Sequence, residues 1–262
     1  MVVTKGALPG ALRSFPTLSC VTEPLVPSVG WGVLHLFCKL PEAPSPGGGP
    51  RYDHPAVVQA VKAAESDGLQ VVPIAMLGHK ADLGFMALGP DLWRLRRLQS
   101  DLQAAGLVVA TSYVSLTEVS EYAEGIPAEM KQKRLYPSLP PEGMTAFCFY
   151  PMSKRRGDTE GSNWFSMPFD ERKAMMYGHG AAGRAFAGRI VQVITGSTGI
   201  DDWEWGVTLF GVHPDDLKEC VYTMRFDEGS ARFAEFGPFL AGMVGPLEAV
   251  LEAVLAQVAP GE

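Results

Sequence analysis

The chain lacks any long apolar run: the longest are about six to eight residues, well short of the roughly twenty that a membrane-crossing helix requires. It is also poor in positive charge. Twenty-two Lys and Arg stand against 29 Asp and Glu, for a net charge of −7. That disfavours nonspecific association with nucleic acid or an anionic bilayer, although local basic patches could still hold a small acidic ligand. The first twenty residues carry only Lys5 and Arg13, and Pro9 and Pro16 interrupt their apolar positions, so no secretory leader is expected. Cysteine is sparse. Cys20, Cys38, Cys148 and Cys220 lie far apart and form no CxxC pair. The last three fall in apolar, strand-like runs. They read as buried free thiols of a reducing cytoplasm, with a metal or redox role as the alternative.

What is present is ample apolar material. Of 262 residues, 47% are hydrophobic and 19% charged, which suits one or two globular domains with a substantial core. Residues 1–28, rich in Pro, Ser and Thr, read as a loosely held arm. From 31 the pattern is strand (31–40), a Pro/Gly loop (41–53), helix (54–68), strands (69–78 and 83–89), helix (90–106) and strand (107–119). Pro73 suggests an edge or a bulge in the first strand of that pair. Leu92, Leu95, Leu98 and Leu102 mark one face of the second helix. A charged, proline-containing stretch (120–142) follows, and the order repeats: strand (144–152), helix (168–180), strands (188–197 and 203–211), a short helix (213–219) and a strand (220–227). Residues 230–255 read as helical with glycine and proline interruptions.

The same β-α-β-β-α-β order thus occurs twice without visible sequence identity between copies. The expected class is α+β, with two split-βαβ units whose sheets face each other. Domain limits are set at 1–28 (arm), 29–125 (N-terminal half), 126–142 (connector) and 143–262 (C-terminal half, expected to carry the ligand site).

The chemistry-bearing residues concentrate between Tyr150 and Phe210. His179 stands among Gly178, Gly180, Ala181, Ala182 and Gly183, small neighbours that would let a large flat ligand approach the backbone. A neutral imidazole there could bind heme iron; a helix-terminal histidine favoured by the dipole is the plain alternative. No His, Cys or carboxylate lies at zinc-like spacing from it. GHGAAG (178–183) matches GxGxxG literally, but a helix-like segment precedes it where a dinucleotide site needs a strand. Tyr150 ends an apolar strand beside Pro151 and could be a core phenol or a redox-active one at a pocket edge. Lys154, Arg155 and Arg156 follow; beside a pocket they could hold carboxylates, as could Arg134, Arg225 and Ser230. Trp164, Trp203 and Trp205 read first as packing residues.

Taken together and in order, YPMSKRR, NWF, MYGHGAAGR, QVITGSTGIDDWEWGVTLF and MRFDEGSARFAEFG resemble the coproheme decarboxylase branch of the chlorite dismutase family, strongly over 134–243 and more weakly over 31–125. The resemblance implies a dimeric α+β barrel of two ferredoxin-like βαββαβ halves, assembled as a cytoplasmic homopentamer. It implies peroxide-dependent removal of two propionate carboxyls from iron coproporphyrin III to give heme b, the last step of a coproporphyrin-dependent heme pathway. The porphyrin would be both substrate and redox centre, and hydrogen peroxide the oxidant. A transient contact with a coproporphyrin ferrochelatase is implied too. Carried over by residue, His179 matches the proximal iron ligand and Tyr150 the radical-forming tyrosine. Lys154 matches the lysine near the reacting propionate and Gln192 the distal-side residue. Arg134 and Ser230 match propionate-holding positions; Arg225 and Trp164 complete the expected substrate contacts. Chlorite-decomposing relatives carry a distal arginine where this chain has Gln192. Chlorite dismutase and a noncatalytic heme-binding protein on the same fold are the alternatives.

Overall fold

A computed structural model describes residues 23–41, 52–159 and 161–255. The calls on Cys20, on most of the N-terminal arm and on most of the 41–53 loop fall outside these residues. The first half runs β1 (Gly32–Lys39), α1 (His54–Ser66), β2 (Gln70–Met76), β3 (Leu83–Gly89), α2 (Leu92–Ala104) and β4 (Val108–Thr117). Side chains that satisfy orphan amides start both helices. Asp53 accepts from the Ala56 N–H at 3.0 Å, and Asp91 from the Trp93 N–H at 3.0 Å. Apolar residues at helical spacing, Val57, Ala60, Val61 and Ala64 on α1 and Leu95, Leu98 and Leu102 on α2, are the ones buried. β2 bonds a second strand only from Ile74 onward, so the stretch containing Pro73 keeps one free edge, where a missing N–H is tolerated.

A connector holding α3 (Ala128–Leu135) leads to the second half: β5 (Ala146–Lys154), a 3₁₀ turn at Trp164–Ser166, α4 (Phe169–Arg184), β6 (Ile190–Gly196), β7 (Trp205–Gly211), α5 (Pro214–Met224), α6 (Glu228–Phe233), β8 (Ala234–Phe236), β9 (Leu240–Val244) and α7 (Leu247–Leu255). Two sequence-based assignments change here. Residues 220–227, expected as a strand, continue α5 and then turn toward α6. Their β-favouring residues CVYTM disguised a helical spacing of buried positions at Asp216, Leu217, Cys220 and Met224. Residues 230–255, expected as interrupted helix, contain instead the last strand of the half. Leu240–Val244 alternates buried and exposed, the period-2 signature of a strand.

Each half has the ferredoxin-like strand order, β4-β1-β3-β2 and β6-β7-β5-β9. The halves join through β2–β9 and β4–β6, and with β5–β7 the eight long strands close into an antiparallel barrel; β8 adds to the far end of β5. Closure leaves no long unpaired edge. Val33, Phe37, Met86, Phe147, Phe149 and Phe210 fill the interior. His35 is fully buried among them, stacked on Phe149 at 4.2 Å between ring centroids and bonded through Nε2 to the Thr208 hydroxyl at 2.9 Å. Helices lie outside. α1, α2 and α7 cover the outer face of the first sheet, while α5 covers only part of the second. α4 packs against α6 and α5 rather than broadly onto the strands, so a space remains between α4 and the sheet.

Candidate functional site

Strand alternation sets the floor of that space. Phe147 and Phe149 point into the barrel, so Cys148, Tyr150 and Met152 take the opposite face. In register, Tyr150 pairs with Val207, which pairs with Ile194; Cys148 pairs with Leu209, which pairs with Gln192. The floor is therefore an apolar sheet face with Tyr150 and Gln192 set into it. The cavity above it is about 1060 Å³, at the upper end of the ~300–1,000 Å³ typical of small-molecule sites. Tyr150, Lys154, Trp164, His179, Gln192, Ser230, Arg134 and Arg225 all line it. The eight residues singled out from sequence, drawn from seven separate segments, meet in one chamber.

The opposite wall is α4. Arg172, Met176, His179 and Gly180 share one stripe of the helix, and all four line the cavity. No residue of this sixteen-residue helix is buried. A Cβ on Gly178 would meet nothing within 4 Å, and one on Gly180 only the tip of Arg184, so the small residues leave open space beside His179. GHGAAG lies inside α4 and is not a strand-to-helix turn, which excludes a dinucleotide fingerprint there.

His179 is held from behind. Its Nδ1 lies 2.9 Å from Asp227 Oδ2 and 3.3 Å from Ser230 Oγ. Asp227 is the N-cap of α6, and its Oδ1 accepts from the Ser230 N–H at 3.0 Å. Burial alone would raise the Asp227 carboxyl, but the His179 and Ser230 bonds outweigh it and hold the group below its usual range. A carboxylate on Nδ1–H fixes the tautomer that leaves Nε2 as the free lone pair, the arrangement of metal-binding histidines. Ser230, matched from sequence to a propionate contact, thus also sits against the imidazole. Asp227 was not singled out from sequence. Its DEGS helix start could have flagged a cap, but its reach to a histidine 48 residues earlier depends on α6 packing on α4.

Lys154 is 6% exposed. Its Nζ donates to the Gly229 carbonyl at 2.8 Å and sits 4.5 Å from the centroid of the Trp164 ring. Burial pulls its pKa down to about 8, against the opposing pull of Asp227 and Glu204. Arg155 and Arg156 diverge from it. They pair with Glu235 and Glu204 and do not line the cavity. Arg134, Arg184 and Arg225 do line it, and among the described residues none has a carboxylate partner. Tyr150 is 7% exposed, stacked on Phe239 at 4.5 Å with Phe236 edge-on at 5.5 Å. Burial raises its phenol well above the usual range, so it is neutral at any ordinary pH. Cys38, Cys148 and Cys220 are free and buried, as their apolar contexts implied. The described residues contain no cluster of three or more His, Cys, Asp or Glu able to hold a bare metal ion.

The barrel is a fold shared with proteins of known structure. A heme-binding protein from Thermus thermophilus superposes with a TM-score of 0.75 at 37% identity, covering 87% of this chain and 96% of that one. A chlorite dismutase variant from Candidatus Nitrospira defluvii superposes at 0.65 and 18% identity, covering 87% and 97%, a likeness of fold. A Natronomonas pharaonis protein described as a candidate heme-binding protein is 46% identical over 199 residues; these are 70% of this chain but 32% of that protein, so the chain spans about a third of its relative's length. The chlorite dismutase family model matches residues 54–245, and the chain belongs to that family.

Proposed function

We propose that this chamber takes iron coproporphyrin III and that the protein removes two of its propionate carboxyls with hydrogen peroxide, leaving heme b. The observation that carries the reading is the placement of His179 and Tyr150 on opposite walls of one largely apolar chamber, with Lys154 on the strand of Tyr150 and arginines without a carboxylate partner among the described residues around the lining. The chamber fits such a molecule chemically. A porphyrin needs apolar faces, which Ile194, Val207 and the open glycine surface of α4 supply. Its four carboxylates need donors, which Arg134, Arg225, Arg184 and Lys154 supply. His179, buttressed by Asp227, offers Nε2 to the iron.

Each propionate that becomes a vinyl group loses carbon dioxide, one proton and two electrons, and peroxide takes up the electrons. The bound iron porphyrin supplies the redox chemistry; the chain positions groups around it. Tyr150 is a neutral phenol that can give up a hydrogen atom and regain one from a propionate β-carbon. Lys154, with its lowered pKa, can hold the propionate as a cation or exchange a proton near neutrality. Gln192 lies on the sheet wall, across the chamber from His179. It provides a neutral amide where chlorite chemistry would call for a cation. Trp164 packs under Lys154 and fixes its course.

The test is to add ferric coproporphyrin III, titrate peroxide and follow porphyrin masses. Two successive losses of carbon dioxide plus two hydrogens support the reading. Unaltered porphyrin together with rapid oxygen release from chlorite would replace it with chlorite dismutation. Unaltered porphyrin with tight binding and no oxygen release would leave a heme carrier. By the same reading the protein works as a cytoplasmic oligomer, a pentamer, exchanging porphyrin with a ferrochelatase.

A further inference from the structure

Tyr150 sits in an aromatic clamp that nothing in its own strand provides. Phe239 stacks on its ring, centroids 4.5 Å apart and planes 28° from parallel. Phe236 meets it edge-on at 5.5 Å and 80°. Both belong to the β8–β9 segment and follow Tyr150 by more than eighty residues. Besides its strand ladders to β5 and β2, that segment is fastened at two further points. The Gly237 N–H donates to the Pro151 carbonyl at 2.8 Å, beside the tyrosine itself. Lys80, from the β2–β3 turn of the N-terminal half, donates through Nζ to the Phe239 carbonyl at 2.6 Å. Phe236 lines the chamber and Phe239 does not, so the clamp closes the side of the phenol turned away from the ligand.

We propose that Phe239, steered by Lys80, is a positioning residue for Tyr150. It holds the phenol in one ring orientation and shields its back from water, so that the hydroxyl exchanges its hydrogen only toward the chamber. The inference rests on the reading of Tyr150 as the residue that abstracts a propionate hydrogen, and adds how that residue is aimed. Aromatic stacking in a tilted, offset geometry restrains a ring beyond its area burial. A phenol shielded on one side keeps a high cost for ionisation there. A loosened phenol that has given up its hydrogen atom would regain one from a second peroxide molecule reaching it through solvent instead of from the propionate, and peroxide would be consumed without product. Lys80, together with the β2–β9 ladder, makes the orientation depend on the N-terminal half.

The experiment uses full-length protein with ¹³C-ring-labelled tyrosine, the Tyr150 signal assigned by Tyr150→Phe. Phe239→Leu keeps an apolar side chain at a position that is already 38% exposed, so the fold should survive, as a thermal melt verifies. In ligand-free protein we expect faster Tyr150 ring flipping in Phe239→Leu, and a smaller change of the same sign in Lys80→Met. With coproheme bound, both variants should bind as tightly as the parent yet use several-fold more peroxide per carboxyl lost. Unchanged flipping in Phe239→Leu would overturn the positioning role, whatever the activity. That readout needs no porphyrin, so its failure is distinct from failure of the decarboxylase reading, which Tyr150→Phe tests. If Tyr150→Phe abolishes product while Phe239→Leu keeps the parent's peroxide-to-product ratio, the clamp alone is wrong.

Discussion

His179 and Lys154 hold their chemistry through neighbours that a linear reading does not display. The Asp227 bond at 2.9 Å orients the imidazole, and outer-shell carboxylates of this kind typically change metal affinity or activity by roughly 10–100-fold when removed. Asp227→Asn should therefore weaken iron ligation by about that factor, seen as an altered optical and spin-state spectrum of the coproheme complex. An unchanged spectrum would deny it a role. On the proposed reading, His179→Ala should remove the histidine bond to iron, read in the same spectrum. Lys154 carries a pH signature. Its folded pKa of about 8 lies below the ordinary 10.5 of the unfolded chain, so the native state releases this proton first. Burying the cation costs stability below pH 8, and that cost is relieved as pH rises from about 8 toward 10.5. Ligand-free Lys154→Met should gain on the order of 1–3 kcal/mol at pH 7, a gain that shrinks by pH 9. Denaturant melts of the pair at the two pH values check this; a constant difference contradicts it.

At the scale of elements, α4 is the notable one. It has no buried residue, faces the chamber with one stripe, and is held by α5, α6 and two ion pairs, Arg172–Glu121 and Lys173–Glu124, to the segment after β4. Exposed ion pairs contribute little, ~0–1 kcal/mol each. A helix so placed gains its packing partner when the chamber fills. Amides of residues 169–184 should exchange rapidly in ligand-free protein and become protected on binding coproheme; equal exchange in both states would argue against a ligand in contact with α4. The two halves' strand and helix order, and the leucine face of α2, were legible in sequence because period and caps carried them. α5 was shortened and β9 missed for one reason: CVYTM looks extended by propensity and LAGMV sits between glycines and prolines. The tertiary setting decided both, a sheet edge on β5 waiting for a strand and an apolar stripe needing a helix. The Asp227 bond and the Phe239 stack were illegible because each joins segments tens of residues apart.

Across the whole molecule, the barrel interior is committed to a single protonation state. His35 is fully buried, its Nδ1 has no partner among the described residues, and burial lowers its pKa to about 3 from 6.5. Below pH 6.5 the unfolded chain takes up a proton that the native barrel refuses, so stability falls as pH drops from 6.5 toward 3, by up to ~1.4 kcal/mol per unit. His35→Gln, which retains a polar group toward Thr208, should flatten that decline relative to the parent in melts between pH 6.5 and 4.5. Parallel declines would mean that other groups set acid lability. No helix among the described residues is long and apolar enough to cross a membrane, and the closed barrel offers its second sheet's outer face, beneath α4, as the place for a ligand.

That face makes sense only if a phenol and an imidazole act on the same molecule. Peroxide titration of parent and Tyr150→Phe, each loaded with ferric coproporphyrin III and read by mass, tests this directly. The account predicts equal loading, stepwise conversion to heme b by the parent, and no decarboxylated porphyrin from Tyr150→Phe. Undiminished heme b from Tyr150→Phe would contradict it.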